Sequence, residues 1–87
     1  MVGPDQARVR AVLKEIGLLQ VSIDALADDA DLYAAGLTSH ATVNLMLALE
    51  EAFDIEFPDR LLRRRTFSSV NAIAESLTEI GPRKEAA

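Results

Sequence analysis

The stretch Asp31-Leu32-Tyr33-Ala34-Ala35-Gly36-Leu37-Thr38-Ser39-His40 decides how the 87-residue chain is read. Upstream of Ser39, residues 18 to 38 show no sustained apolar period. Downstream, Leu45, Ala48, Leu49, Ala52 and Phe53 fall on one helical face. The stretch therefore joins a long loop to an amphipathic helix that Ser39 opens. A loop this long in a compact domain is uncommon and usually has a function. Gly36 would let the chain turn sharply just before the helix. A serine at that point sits beside free backbone N–H groups and the positive end of the helix dipole.

Working outward, Pro4 and Asp5 suit a helix start. Val9, Val12, Leu13 and Ile16 follow at i, i+3, i+4 and i+7, with Gly17 as the stop. The first helix thus spans about 5–17. The loop carries apolar anchors, Leu19, Val21, Ile23, Leu26, Leu32 and Tyr33, among Asp24, Asp28, Asp29 and Asp31. Asp54-Ile55-Glu56-Phe57-Pro58 breaks the second helix, and Pro58 and Asp59 suit a short helix through Leu61 and Leu62. Thr66 or Ser68 is expected to cap a last helix on which Val70, Ile73, Ala74 and Leu77 repeat. The fold class is all-α, a bundle of three main helices plus one short one. It forms a single domain over 1–87, with an ordered core over about 5–80 and a loose tail at 81–87.

Composition narrows the function. Apolar residues make up 49% and aromatic residues 5%, so the core is aliphatic and helix is favoured over sheet. The formal net charge is -5, opposite to the basic excess of most nucleic-acid binders. There is no cysteine, so any thiol must arrive on an added group. The longest apolar run, Leu45–Leu49, is far too short to span a bilayer, and no signal peptide is evident. A cytoplasmic monomer is expected.

The stretch 31–40 resembles the attachment region of acyl carrier proteins, where a Gly, an apolar residue and an Asp-Ser-Leu motif lead into the second helix. The continuation is similar too: Leu45-Met46-Leu47-Ala48-Leu49-Glu50-Glu51-Ala52-Phe53, then Ile55-Glu56-Phe57-Pro58, and Thr66-Phe67 before the last helix. The resemblance covers about residues 7–80. It implies that Ser39 carries 4'-phosphopantetheine, whose thiol holds cargo as a thioester, and that the chain is not an enzyme. A phosphodiester on Ser39 would be an anion where a helix N-terminus favours one. The alternative for Ser39 taken alone is a plain N-cap.

Two departures bear on partners. Thr38 stands where the family usually has Asp, and Ala41 and Asn44 stand where fatty-acid carriers often have carboxylates. Arg60, Arg63, Arg64 and Arg65 follow where the family is often acidic. The pattern over 31–39, 45–47 and 51–59 is more similar to the small free-standing aminoacyl carrier proteins. That resemblance implies a phosphopantetheinyl transferase, an amino acid:[carrier protein] ligase resembling a seryl-tRNA synthetase core, and a further acceptor enzyme as partners. Its cargo would be a small amino acid. The alternatives are an acyl carrier for a specialised fatty-acid, lipid or polyketide pathway, and an unmodified helical adaptor.

The remaining candidates have plainer readings. His40 follows Ser39 directly, but adjacent helical residues do not face each other, so a contact with partners fits better than catalysis. The four loop aspartates lack the glycine and terminal Glu of an EF-hand loop, which leaves a solvated acidic loop. The arginines Arg60 to Arg65 suit a docking patch or a solvated surface better than a helix-turn-helix DNA reader. Met46 and Val43 either line a cargo cavity or belong to the core, the commoner role. Leu47 lies nearly opposite the core arc, among His40, Asn44 and Glu51. Thr38, His40, Val43, Leu47, Arg60, Arg63 and Arg64 are the expected partner-binding residues around Ser39.

Overall fold

The computed structural model describes residues 4–17, 19 and 22–80. Val21 of the loop and the tail 81–87 lie outside the described residues. Among the described residues the fold is all helical: α1 is Pro4–Ile16, α2 is Ser39–Phe53 and α3 is Val70–Ile80. Three short 3-10 turns, Ile23–Ala25, Asp59–Leu61 and Arg64–Phe67, occupy the connections. The expected short helix is the second of these, and the third had no periodic signal to announce it.

Each helix buries the stripe its spacing sets. Val9, Val12 and Leu13 of α1 meet Ala41, Leu45 and Leu49 of α2 and Val70, Ile73 and Leu77 of α3 in one core. Ala52 is a correction. It shares the angular sector of that stripe but is exposed. Its carbonyl accepts a 2.6 Å bond from Arg8 Nη2, and the Arg8 guanidinium lies 4.1 Å from the centre of the Phe53 ring. The start of α1 is thereby tied to the end of α2.

The helix ends remove one alternative and correct one expectation. At α2 the cap is Thr38, whose Oγ1 accepts the Ala41 N–H at 3.0 Å, so Ser39 is the first helical residue and not the cap. At α3 the cap is Ser69, whose Oγ accepts the Ala72 N–H at 3.0 Å. Thr66 is buried inside the Arg64–Phe67 turn, and the Ser68 hydroxyl donates to the Arg65 carbonyl. That turn uses both hydroxyl residues locally and delays α3 until Val70.

The long loop is pinned as its anchors suggested: Ile23 and Leu32 are buried, and Leu19, Leu26 and Tyr33 pack against the core; Leu37, not among the expected anchors, is buried as well. Its backbone is laced to the start of α3, with Leu32 N–H donating to the Ser68 carbonyl at 2.8 Å and Asn71 N–H to the Asp28 carbonyl at 2.9 Å. Arg10 of α1 organises the rest. Its Nη1 and Nη2 donate to the Ile23 and Leu26 carbonyls at 2.7 Å, and its guanidinium pairs with Asp28. These bonds give the Leu26 carbonyl a partner and the Ile23 carbonyl, which already accepts the Leu26 N–H, a second one.

Candidate functional site

The site is built where the loop runs into α2. Gly36 has φ +117, a region that side chains with a Cβ rarely enter. The reversal there sends Leu37 into the core and leaves Thr38, Ser39 and His40 exposed. Thr38 does the capping, and the Thr42 hydroxyl donates to the Thr38 carbonyl at 2.7 Å. The Ser39 hydroxyl is needed for neither bond. It stands on the first turn of α2, exposed, with the helix dipole behind it.

From Ser39 a groove of about 370 Å³ runs along α2. Ser39, Thr42, Val43 and Met46, at i, i+3, i+4 and i+7, form one wall. Leu62, Arg63, Arg64 and Phe67 form the other, and Tyr33 completes the lining. Val43 and Leu62 remain 52% and 46% exposed, so this is a surface channel and not an enclosed cavity. The core role fails for Val43. Met46 is half-buried and serves both core and groove.

The arginines separate into two groups. Arg64 is held over Tyr33, its guanidinium carbon 3.9 Å from the ring centre, while the Tyr33 hydroxyl donates to the Arg64 carbonyl at 2.9 Å. Arg60 instead pairs with Glu79 of α3. Arg60 and Arg65 line a polar depression with Glu75 and Glu79, and Arg63 borders both that depression and the groove. The single patch expected at Arg60–Arg65 is thus divided, and only Arg63 and Arg64 share the Ser39 groove. Leu47 is 52% exposed, on the polar side of α2 as its spacing required, and does not line the groove.

Three of the four loop aspartates have partners within the chain. Asp28 pairs with Arg10 and Asp24 with Lys14, and Asp31 Oδ1 accepts the Tyr33 N–H at 2.9 Å. The sequence reading missed Tyr33, Thr42, Leu62 and Phe67 as groove residues. The i, i+3, i+4, i+7 series counted from Ser39, in place of the core arc, would have found Thr42.

A compact helical module that presents one unencumbered serine at a helix start, beside an open groove, defines a carrier. The chain belongs to the phosphopantetheine attachment site family, which matches residues 7–77. It is 54% identical over 81 residues to an aminoacyl carrier protein of Agrobacterium fabrum (strain C58), covering 93% of this chain and 98% of that one. It is 37% identical over 76 residues to a D-alanyl carrier protein of Streptococcus sanguinis, covering 86% of this chain and 92% of that one. The fold matches, with a TM-score of 0.82 and 53% identity, the carrier chain in a crystal structure of an engineered Bradyrhizobium japonicum glycine:[carrier protein] ligase complexed with carrier protein from Agrobacterium tumefaciens and ATP. That match covers 86% of this chain and 97% of the other. The prosthetic group of the family is a covalent 4'-phosphopantetheine, and its members are substrates of enzymes rather than enzymes. No helix among the described residues is long and apolar enough to cross a membrane.

Proposed function

We propose that this chain is an aminoacyl carrier protein, a single domain that bears 4'-phosphopantetheine on Ser39 and presents a small amino acid as its thioester. The observation that carries the assignment is the free hydroxyl of Ser39. Thr38 takes the cap, so Ser39 is exposed and available to a transferase without loss of a helix-end bond. The residues present fit the group. Its phosphodiester would lie at the start of α2, where N–H groups and the dipole favour an anion. The chain has no cysteine, and the bound group supplies the thiol on which an acyl group is carried.

Cargo and partners follow from the site and the relatives together. With Val43 and Leu62 half-exposed in its walls, the groove would leave much of a long acyl chain in water, which disfavours such cargo. A short polar aminoacyl group has no such requirement. We assign loading to an ATP-dependent amino acid:[carrier protein] ligase, acting after a phosphopantetheinyl transferase and before an acceptor enzyme. The cytoplasm, where ATP is made, is the compartment for this exchange. Thr38 and His40 flank Ser39, Val43 and Leu47 give α2 two exposed apolar contacts, Arg63 and Arg64 give the far wall its positive charge, and Arg60 lies beyond the groove beside Glu79. These are the surfaces offered to the three enzymes.

Co-expression with a transferase is expected to add the mass of one phosphopantetheine, and Ser39→Ala to abolish the addition. The modified protein is then expected to take up glycine or alanine with ATP and a ligase, as a hydroxylamine-labile adduct. An unchanged wild-type mass in the presence of a competent transferase overturns the attachment. Efficient loading by a malonyl transferase, with no aminoacylation, overturns the cargo.

A further inference from the structure

The polar depression, about 300 Å³, lies between α3 and the 3-10 turns Asp59–Leu61 and Arg64–Phe67. It is separate from the Ser39 groove, and Arg63 is the residue they share. Its three guanidinium groups differ in what they already hold. Arg60 pairs with Glu79. Arg63 donates its Nε to the Arg60 carbonyl at 2.7 Å, which steadies the group, and it has no carboxylate partner among the described residues. Arg65 has none there either. Two hydroxyl residues, each more than nine-tenths buried, line the same depression. Ser76 donates to the Ala72 carbonyl at 3.0 Å, the usual recourse of a hydroxyl on a helix. Thr66, only 6% exposed, does not: its backbone N–H reaches the Arg63 carbonyl at 3.1 Å, but its hydroxyl has no partner among the described residues. No unpartnered side-chain polar atom there is sealed from solvent, so this hydroxyl keeps an opening, and the depression is what Thr66 lines. Burying an unpaired hydroxyl opposes folding, and an acceptor oxygen from outside the chain would relieve that cost.

We propose that this depression is a binding site for one carboxylate, held by the Arg63 and Arg65 guanidinium groups and the Thr66 hydroxyl. All three are donors, and an ionised carboxylate only accepts, with its two oxygens spaced for a guanidinium fork. Charge selects among oxyanions. Arg60 and Glu79 answer each other, and Glu75 lines the depression with no ion-pair partner among the described residues. That leaves two cations against one acid, a balance that a single negative charge meets. A doubly charged phosphate would face Glu75 with nothing further to offset the repulsion. Arg63 is already steadied by the Arg60 carbonyl, so it loses less freedom on binding than a loose side chain would. The carboxylate comes from a small free acid or from an acidic side chain of an enzyme seated over Ser39, since Arg63 borders the Ser39 groove as well. Either source meets the same three donors.

The first arm of the test uses the unmodified protein and no enzyme. Amide NMR is followed through a titration with sodium acetate, with sodium chloride at matched ionic strength as reference. Acetate is expected to shift Arg65, Thr66 and Glu75 saturably, chloride to leave them in place, and phosphate to bind more weakly than acetate. Arg65→Gln is expected to weaken acetate binding about threefold, the size of one exposed charge contact. Thr66→Val, which keeps the shape without the hydroxyl, is expected to weaken it as well. The second arm reads aminoacylation of holo-protein by a cognate ligase at constant ionic strength. Where the carboxylate is an enzyme side chain, Arg65→Gln raises KM for the carrier about threefold at unchanged kcat, and acetate raises the wild-type KM. Where it is a free acid, KM holds in both while acetate still binds in the first arm. Acetate shifts no larger than those in chloride, together with a wild-type KM for Arg65→Gln, overturn the proposal. Acetate binding that neither variant weakens does the same, and tighter binding of phosphate overturns the carboxylate assignment. The first arm involves no pantetheine, so its result stands whether or not Ser39 is the attachment point.

Discussion

The two connections of this molecule use charge in opposite ways. Between α1 and α2, two acids of the loop are answered by cations of α1: Arg10 reaches Asp28 and two loop carbonyls, and Lys14 reaches Asp24. Between α2 and α3, Glu79 answers Arg60, but Arg63 and Arg64 have no carboxylate partner among the described residues and line the Ser39 groove. Both segments look alike in sequence, short of periodicity and rich in charge. The difference is where the counter-charge comes from. A charge answered inside the chain holds shape, whereas one left for an outside group is free for function.

The largest effect expected from this contrast is on stability. The Arg10 side chain is only 18% exposed and serves two carbonyls and a carboxylate at once. Arg10→Ala is expected to lower unfolding free energy by about 2 kcal/mol, the scale of lost hydrogen bonds to a charged group. Arg64→Ala, by removing one exposed stacking contact, is expected to cost about 0.5 kcal/mol. Urea unfolding of the two variants side by side measures both. A larger loss for Arg64 than for Arg10 would show that the second connection is structural as well, and the comparison would break.

A smaller effect sharpens it at the junction of loop and helix. Thr38 supplies the cap of α2, and its truncation to Ala is expected to cost about 1 kcal/mol. Ser39→Ala, one residue on, removes a hydroxyl with no bond to lose and is expected to stay within about 0.5 kcal/mol. Thermal melts of the unmodified variants separate them. The reverse order would mean that Ser39 is the cap and that modification must break it.

What the sequence made legible was whatever repeats along one dimension. The three helices and most of their buried faces followed from apolar spacing at 3.6 residues per turn, and Gly36 followed from the need to turn before α2. What it hid falls into two kinds. One is a choice between neighbours of equal chemistry: Thr38 against Ser39, or Thr66 and Ser68 against Ser69, where only the backbone path decides which hydroxyl faces the free N–H groups. The other is contact across the chain. Arg10 with Ile23, Leu26 and Asp28, and Tyr33 with Arg64, join residues that no local pattern links. The Arg60–Arg65 run was visible as charge, but its division required knowing that Glu79 of α3 claims Arg60. The candidate site was therefore legible at Ser39, from resemblance and helix start together, and illegible at its far wall.

The smallest structural effect, and the one most informative about partners, concerns Leu47. It lies on α2 about two turns beyond Ser39 and is 52% exposed, with His40, Asn44 and Glu51 also exposed around it. It is neither part of the core nor part of the groove, so packing does not explain an apolar side chain there. A lone exposed leucine is ordinary on any surface. Its position makes it informative, because an enzyme that receives the arm from Ser39 must cover this face of α2. Leu47→Ala is expected to leave helicity unchanged and stability within about 0.5 kcal/mol, since the surface it removes is already half in water. It is expected to weaken ligase binding by about 1 kcal/mol, the loss of one apolar anchor at an interface. Calorimetric binding of holo-protein to the ligase, paired with a thermal melt, reads both numbers. Wild-type affinity in the variant would confine recognition to Ser39 and the arginine wall. A large loss of stability would instead show that Leu47 packs inward, and that α2 turns a different face to solvent.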